Sequence, residues 1–163
     1  MRLSKIVSMA MITLWLALVA FGNITDYGSN LVFVQHVLAM DSIFPDAAIH
    51  YRAIHSPLLQ HAAYVLIIAT ETLAAGLCGI GTWGMAWARR APAAAFHRAR
   101  RPAIAGLTLG LLLWLGGFMA IGGEWFGMWM SSQWNGLDSA FRFVVVLFAA
   151  LIFLGQREEQ PGE

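Results

Sequence analysis

Charged side chains are scarce in this 163-residue sequence: Asp, Glu, Lys and Arg together make up 12% of it. Soluble globular chains carry about 25%, so this chain has too few polar groups to cover a surface that faces water. The net charge of +1 and the apolar fraction of 59% also exclude a disordered or a nucleic-acid-binding chain. An integral membrane protein remains, in agreement with a mean hydropathy of +0.66.

Cysteine is almost absent as well. Cys78 is the single one, which excludes an intramolecular disulfide, and its apolar surroundings predict an inert packing residue. The sequence also lacks the motifs G-x-S-x-G, H-E-x-x-H and C-x-x-C and a Walker phosphate loop. We therefore expect a protein that is not an enzyme.

Long apolar segments predict an all-α membrane protein with four transmembrane helices in a single domain, 1–163. A bilayer core of about 30 Å needs about 20 helical residues, and the segments that meet or approach this length are 6–23, 61–85, 103–122 and 139–155. The first resembles a signal peptide, but its apolar run exceeds the usual length of roughly 7–15 residues, which favours a membrane anchor.

Helix-start signals accompany three of these segments. Ser56 followed by Pro57 predicts the start of the second helix, and Pro102 has the same role for the third. Asp138, after an Asn-Gly turn, is the predicted N-cap of the fourth helix.

Lysine and arginine are distributed unevenly over the loops, and their positions predict the orientation. Two of them, Arg52 and Arg142, fall on one side of a four-span arrangement, and eight fall on the other: Arg2, Lys5, Arg89, Arg90, Arg98, Arg100, Arg101 and Arg157. Short loops rich in Lys and Arg stay in the cytoplasm. Both termini and the 89–101 loop are therefore expected in the cytoplasm, with the other two loops outside.

The first exterior loop contains an apolar stretch, Asn30 to Met40, that is too short to span a bilayer. Segments of about 10–14 apolar residues are typical of interfacial, re-entrant or buried helices, so we expect an additional short interfacial helix here. The second exterior loop carries three tryptophans, which the aromatic belt of membrane proteins explains.

Several motifs resemble those of a known family. They are NITDYGSN at 23–30, FVQHVLAMD at 33–41, GGEWFGMW at 122–129, WNG at 134–136 and AFRF at 140–143. Their residues and order are similar to those of the predicted small integral membrane proteins of bacteria that are catalogued as a domain of unknown function. The resemblance implies a four-helix protein of the bacterial inner membrane, and it implies no catalytic residues.

An acidic residue lies deep in the second predicted span. At about 1.5 Å per residue, Glu71 is roughly 15 Å from His61 along the helix, near the middle of the bilayer. An ionised carboxylate at that depth has to be paired, protonated or in contact with water. We expect it to pair with Arg142, with Glu124 as the competing anion. The pair would chiefly fix helix packing; in the alternative interpretation Glu71 is a proton-relay or substrate carboxylate.

Small residues at four-residue spacing predict close contacts between helices. Gly106 and Gly110 form a G-x-x-x-G motif, and Ala75 and Gly79 form a similar small-residue motif. Either motif could face the bundle interior or a partner protein.

Four of the five histidines lie on or near the expected exterior face, where carboxylates also occur. Imidazole and carboxylate suit zinc, iron or copper, and the candidate ligands are His36, His50, His55, His61 and Asp41. Their spacings do not match the i, i+4 histidine pair of a helical metal motif, so the sequence neither requires nor excludes a bound metal ion.

The sequence is also compatible with two organic cofactors, haem b and a quinone. His36 and His61 are the one pair of histidines that could hold haem b from two helices. His61 could line a quinone site together with Trp125 and Trp129.

Two classes of function follow from these features. The first is a non-catalytic accessory subunit of a larger membrane complex, such as a respiratory or other redox complex. The second is a homo-oligomeric transporter, a sensor, or a haem-, quinone- or metal-binding protein that uses Glu71, Arg142 and the exterior histidines. The expected partners are the lipid bilayer and either larger membrane subunits or further copies of the chain, and not nucleic acid.

Overall fold

The computed structural model describes residues 1–156, so Arg157 and the end of the predicted domain lie outside the described residues. Within that range the chain is helical and forms no strand. Its α-helices are α1 Arg2–Thr25, α2 Tyr27–Ala39, α3 Pro57–Trp87, α4 Ala93–Ala99, α5 Arg101–Leu111 and α6 Leu137–Gly155. Short 3₁₀ turns cover His50–Arg52, Ala88–Arg90 and Met128–Met130, and a π-helical segment, Leu112–Trp125, continues α5.

Between residues 1 and 156, four helical stretches are long and apolar enough to cross a bilayer, which confirms the predicted fold. These stretches are Arg2–Thr25, Pro57–Arg90, Ala93–Trp125 and Leu137–Gly155, and each contains one predicted span. The second and third have 34 and 33 residues, more than the roughly 20 that a bilayer core requires. The excess length allows these stretches to tilt or to extend beyond the hydrocarbon.

Two of the predicted helix starts agree with the structure and one does not. Pro57 and Pro102 lie in the first turns of α3 and α5. The prediction that Asp138 is the N-cap of α6 is wrong, because α6 already begins at Leu137. The Oδ1 atom of Asn135 accepts a hydrogen bond from the Leu137 N–H at 3.1 Å and so satisfies a free donor at the helix start. Asp138 then lies in the first turn, where its charge favours the helix dipole.

Helix α3 is the centre of the bundle. Helix α1 packs against it along most of its length, α5 packs against it from another direction, and α6 packs on α5 and the π-helical segment. α1 turns one stripe of residues inward at intervals of three or four positions, as a packed helix requires: Lys5, Met9, Ile12, Leu16 and Ala20.

Two glycines allow α3 and α5 to approach closely. A Cβ atom on Gly81 would lie 2.4 Å from the backbone nitrogen of Ala103, and one on Gly106 would lie 2.7 Å from the sulfur of Cys78. A Cβ atom on Gly110 would lie 2.8 Å from a methyl group of Leu147 in α6. The G-x-x-x-G motif therefore faces the bundle interior, and Cys78 is buried in the same contact.

Three stacked aromatic rings connect α1, α6 and the π-helical segment. Phe143 of α6 stacks between Trp15 of α1 and Trp114 of the π-helical segment, with ring centroids 4.2 and 4.0 Å away. The rings are almost parallel, at 6° and 2°. Aromatic pairs of this kind contribute about 0.5–1.5 kcal/mol each beyond the area that they bury.

Basic side chains bind free backbone carbonyls at one end of the bundle, which we call the terminal end. Arg2 donates to the carbonyl oxygen of Ala91 at 2.6 Å, Lys5 donates to that of Gln156 at 2.7 Å, and Arg100 donates to that of Leu154. Cations are favourable near helix C-termini because carbonyls there lack partners. These bonds place the start of α1, the α3–α4 connection and the end of α6 at the same end.

The opposite end, which we call the capped end, consists of α2, residues 40–56 and residues 126–136. The stretch from Asn30 to Met40 is predicted as a separate short helix, and it is part of α2, which begins at Tyr27. Leu31 and Val34 of α2 pack on Tyr64 of α3, so α2 lies against the bundle. The interfacial position of this helix in a membrane stays a prediction.

The segment 126–136 contacts both residues 40–56 and α2. The hydroxyl oxygens of Ser42 and Ser131 are 2.8 Å apart. The imidazole of His36 stacks on the indole of Trp134 with ring centroids 4.3 Å apart and an angle of 10°. The capped end is therefore one packed unit rather than two independent loops.

Candidate functional site

Glu71 is buried at the contact between α3 and α1, with 2% of its surface exposed. Its Oε2 atom accepts a hydrogen bond of 2.7 Å from the side-chain amide of Asn23. The hydroxyl of buried Tyr64 lies 3.0 Å from the carbonyl oxygen of Asn23 and 3.2 Å from its Oδ1, so it donates to this residue. Asn23 thus accepts from Tyr64 and donates to Glu71.

The helical repeat explains why these three side chains meet. Tyr64 and Glu71 are seven residues apart, which is about two turns, so they lie on the same face of α3. Asn23 continues the buried stripe of α1 beyond Leu16 and Ala20 at the same helical spacing. The carboxylate therefore receives its donor from the last turn of the neighbouring helix.

A second pair of side chains extends this arrangement towards the capped end. The Tyr27 hydroxyl and the Nδ1 atom of His61 share a hydrogen bond of 2.8 Å. The rings of Tyr27 and Tyr64 lie 4.7 Å apart at an angle of 53°. We call the five residues the polar cluster: Asn23, Tyr27, His61, Tyr64 and Glu71. It leads from His61 on the surface to Glu71 in the interior.

The structure does not bring Arg142 to Glu71. Arg142 and Glu124 are both exposed, and among residues 1–156 the acidic and basic side chains that lie within ion-pairing distance are Asp41 and His36, 2.7 Å apart. The predicted Glu71–Arg142 pair is therefore replaced by the bond to Asn23. A neutral amide satisfies the carboxylate without the cost of burying a guanidinium as well.

Arg142→Ala is expected to change the free energy of unfolding by no more than about 0.5 kcal/mol, because the Arg142 guanidinium has no hydrogen bond or ion pair with the described residues to lose. Thermal unfolding in detergent, followed by circular dichroism, measures this. Arg100→Ala is the matched control; it removes bonds to two carbonyls at the end of α6 and should cost about 1 kcal/mol. A larger loss for Arg142→Ala than for Arg100→Ala would show that Arg142 has a buried role.

The candidate ligand histidines turn to different partners. His36 pairs with Asp41 through Nδ1 at 2.7 Å, His50 lies 3.1 Å from the carbonyl oxygen of Phe44, and His61 bonds to Tyr27. His55 is exposed. Within the described part of the chain, no three His, Cys, Asp or Glu side chains gather into a group that could hold a metal ion. His36 and Asp41 are the two members of the predicted set that come together.

Asn23, Tyr27 and Tyr64 are not among the site residues predicted from the sequence. Two signals pointed to them. Asn23 and Tyr27 are conspicuous polar residues of the NITDYGSN motif directly after an apolar helix, and Tyr64 has helical spacing to both His61 and Glu71. Opposite charge indicated Arg142 as the partner of Glu71, whereas these three side chains are neutral.

The chain belongs to the family described as "Predicted small integral membrane protein (DUF2165)", which matches residues 1–157. Together with the four apolar helices, this membership identifies an integral, multi-pass membrane protein. No curated protein and no solved structure was found to match the chain.

Proposed function

We propose that the protein is a non-catalytic accessory subunit of a larger membrane assembly, such as a respiratory or other redox complex, in the bacterial inner membrane. In this proposal the capped end faces the exterior, because the lysines and arginines concentrate at the terminal end. The observation that carries the proposal is a fixed group of exposed aromatic side chains on the capped end.

We call this group the aromatic surface: Phe44, Tyr51, Trp125 and Trp129, with 50%, 76%, 52% and 48% of their surfaces exposed. The rings of Phe44 and Trp129 pack edge to face with centroids 5.9 Å apart. Arg52 lies between the other two, its guanidinium 4.5 Å from the centre of the Trp125 ring and 5.3 Å from that of Tyr51.

The support beneath the aromatic surface favours a contact with protein. Tryptophans at a membrane boundary have a general explanation in the aromatic belt. Here, however, the two chain segments that carry these rings, around residues 44–52 and 125–129, pack on one buried apolar cluster of Met40, Ile43 and Phe126. Arg52 also links the two segments, because it donates to the carbonyl oxygen of Trp125 at 3.1 Å. Preformed groups of Trp, Tyr and Arg are typical of the residues that dominate binding at protein interfaces.

Site-specific photocrosslinking in the host's own membranes tests this proposal. A photoreactive amino acid in place of Trp129 is expected to give a discrete adduct with one membrane protein. The same substitution at Phe44 should capture the same partner, because the two rings touch. The control position is Trp83, which is 73% exposed on α3 and lies away from the capped end. Adducts with lipid alone at both Phe44 and Trp129 would identify an aromatic belt and contradict the proposal.

A second candidate function rests on the buried carboxylate of Glu71. In this alternative the protein is a homo-oligomeric transporter or sensor, or it binds haem, quinone or a metal ion near His36, His61, His50, His55 and Asp41. The polar cluster supports it because ionisable groups at membrane depth are commonly functional.

Purification of the wild type and of Glu71→Gln separates this alternative from a structural role. The alternative expects a homo-oligomer that carries a bound small molecule, with the visible Soret band if that molecule is haem, and loss of the molecule in a folded Glu71→Gln variant. Equal content of bound small molecules in both proteins would count against a functional Glu71.

A further inference from the structure

An apolar groove of about 510 Å³ runs between α2, α3 and the π-helical segment. Val34 and Val37 of α2 form one wall, Leu66 and Thr70 of α3 form a second, and Leu112 and Ile121 form the third. The groove lies next to the polar cluster but is separate from it, because Tyr64 and Glu71 belong to the face of α3 that meets α1 and α2. Its volume is within the roughly 300–1,000 Å³ of small-molecule sites.

Three glycines of the π-helical segment line this groove, and packing within the chain does not explain them. A Cβ atom on Gly116 would meet nothing within 4 Å, and one on Gly117 or Gly122 would come no closer than 3.5 Å to its neighbours. Glycine costs a helix about 1 kcal/mol relative to alanine. At Gly81 and Gly106 a neighbouring helix fills the space that the missing side chain leaves. At Gly116 no atom of the described residues occupies that space, and Gly116 also lines the groove.

The backbone at the groove is unusual as well. The π-helical segment has 14 residues, whereas π-helices generally occur as single turns inside α-helices, frequently at functional sites. It begins where the third span leaves its close contact with α3 and ends beside the capped end. The widened helix and its glycines together form one wall of the groove.

The groove is continuous with exposed apolar side chains of the bundle, and this continuity favours a lipid as its occupant. Leu66, Leu112 and Ile121 line the groove and are also 67%, 65% and 54% exposed. In an integral membrane protein such side chains face hydrocarbon. Thr70 offers no free donor, because its hydroxyl already donates to the carbonyl oxygen of Leu66 at 2.7 Å.

The groove is open to the outside of the bundle, and all its lining side chains except that of Thr70 are apolar, which suits a flexible acyl chain. We propose that the groove between α2, α3 and the π-helical segment binds one acyl chain of a membrane phospholipid and retains that lipid as a bound ligand.

Retention of phospholipid tests the proposal. The protein is reconstituted into vesicles of phosphatidylethanolamine and phosphatidylglycerol, extracted in mild detergent, washed and analysed by native mass spectrometry. Wild type is expected to keep one phospholipid per chain. Gly116→Leu fills the groove and should lower the occupancy at least about tenfold, equivalent to 1.4 kcal/mol. Gly76→Leu is the matched control, because Gly76 has open space around it and does not line the groove.

A second pair of variants keeps the test decisive if Gly116→Leu does not fold. Thr70→Phe fills the groove from α3. Thr72→Phe is the control, because Thr72 does not line the groove and its hydroxyl makes an equivalent bond, to the carbonyl oxygen of Ile68 at 2.8 Å. The proposal expects loss of lipid in Thr70→Phe alone. Equal retention in both members of a folded pair, or no lipid retained by wild type, would overturn it. A bound isoprenoid in protein from host membranes, in place of phospholipid, would overturn the assignment of the ligand.

Discussion

Gly81→Ala is expected to destabilise the protein by about 3 kcal/mol, the upper part of the usual range for overpacking a core. The added Cβ atom would lie 2.4 Å from the nitrogen and 2.8 Å from the Cα atom of Ala103, and backbone atoms cannot rotate away as a side chain can. The steric clash can be relieved only if α5 moves away from α3. Gly106→Ala disturbs the same contact from the other helix, with a Cβ atom 2.7 Å from the carbonyl oxygen of Ala74. Unfolding in detergent by increasing SDS, followed by circular dichroism, measures both losses.

Gly76→Ala is the control for Gly81→Ala. Gly76 is in the same helix, and a Cβ atom there would meet nothing within 4 Å. Its replacement should leave the stability unchanged or raise it by up to about 1 kcal/mol, because alanine has the higher helix propensity. Equal stabilities of Gly81→Ala and Gly76→Ala would show that α3 and α5 do not pack through these glycines.

Asn23→Leu is expected to destabilise the protein by about 2–4 kcal/mol, because a buried carboxylate loses its hydrogen-bond donor. The Asn23 amide lies 2.7 Å from Glu71, and no other side chain in the described residues bonds to that carboxylate. Tyr64 keeps the carbonyl oxygen of residue 23 as an acceptor. Glu71→Gln should cost less than about 1 kcal/mol, since a side-chain amide can still accept from Asn23.

Two comparisons test the cause of this loss. Asn30→Leu is the matched control, because the Asn30 amide donates to the exposed backbone carbonyl of Asp26 and not to a carboxylate; its cost should be below about 1 kcal/mol. Glu71→Leu introduced together with Asn23→Leu should recover stability, because it removes the carboxylate that was left without a donor. An Asn23→Leu variant as stable as Asn30→Leu, or one that Glu71→Leu does not improve, would contradict the assigned role of Asn23.

Helix α3 separates two environments at the capped half of the bundle. Tyr64 and Glu71 face α1 and α2, where polar groups satisfy each other, whereas Leu66 and Thr70 face the apolar groove. A helix with about 3.6 residues per turn presents both faces within two turns. The stability of the polar cluster and lipid binding in the groove can therefore be tested with separate variants.

The spans could be predicted from the sequence because each is a long apolar segment, and length together with apolar composition decides whether a helix can cross a bilayer. Pro57 and Pro102 mark two of the helix starts because proline favours the first turn of a helix and disrupts the interior. Both are local properties of the chain. The start of α6 differs from the prediction: the helix begins at Leu137, whose N–H donates to the side-chain oxygen of Asn135 outside the helix.

The polar cluster could not be predicted in the same way because its members meet only in the folded bundle. Opposite charge suggested Arg142 as the partner of Glu71, since charge is visible in a sequence and distance is not. Asn23 provides the donor because α1 packs on α3, which periodicity does not specify. The π-helical segment and its groove likewise depend on backbone geometry that a run of apolar residues and glycines leaves open.

Native mass spectrometry of the protein, extracted gently from its own host's membranes, tests the central proposal most directly. The accessory role predicts one reproducible complex that contains this chain together with larger membrane subunits in fixed stoichiometry, and the identity of those subunits would name the process that the protein serves. A bound phospholipid is compatible with that result. A pure homo-oligomer without any other subunit would contradict the accessory role and would turn attention to Glu71 and the polar cluster as a binding site.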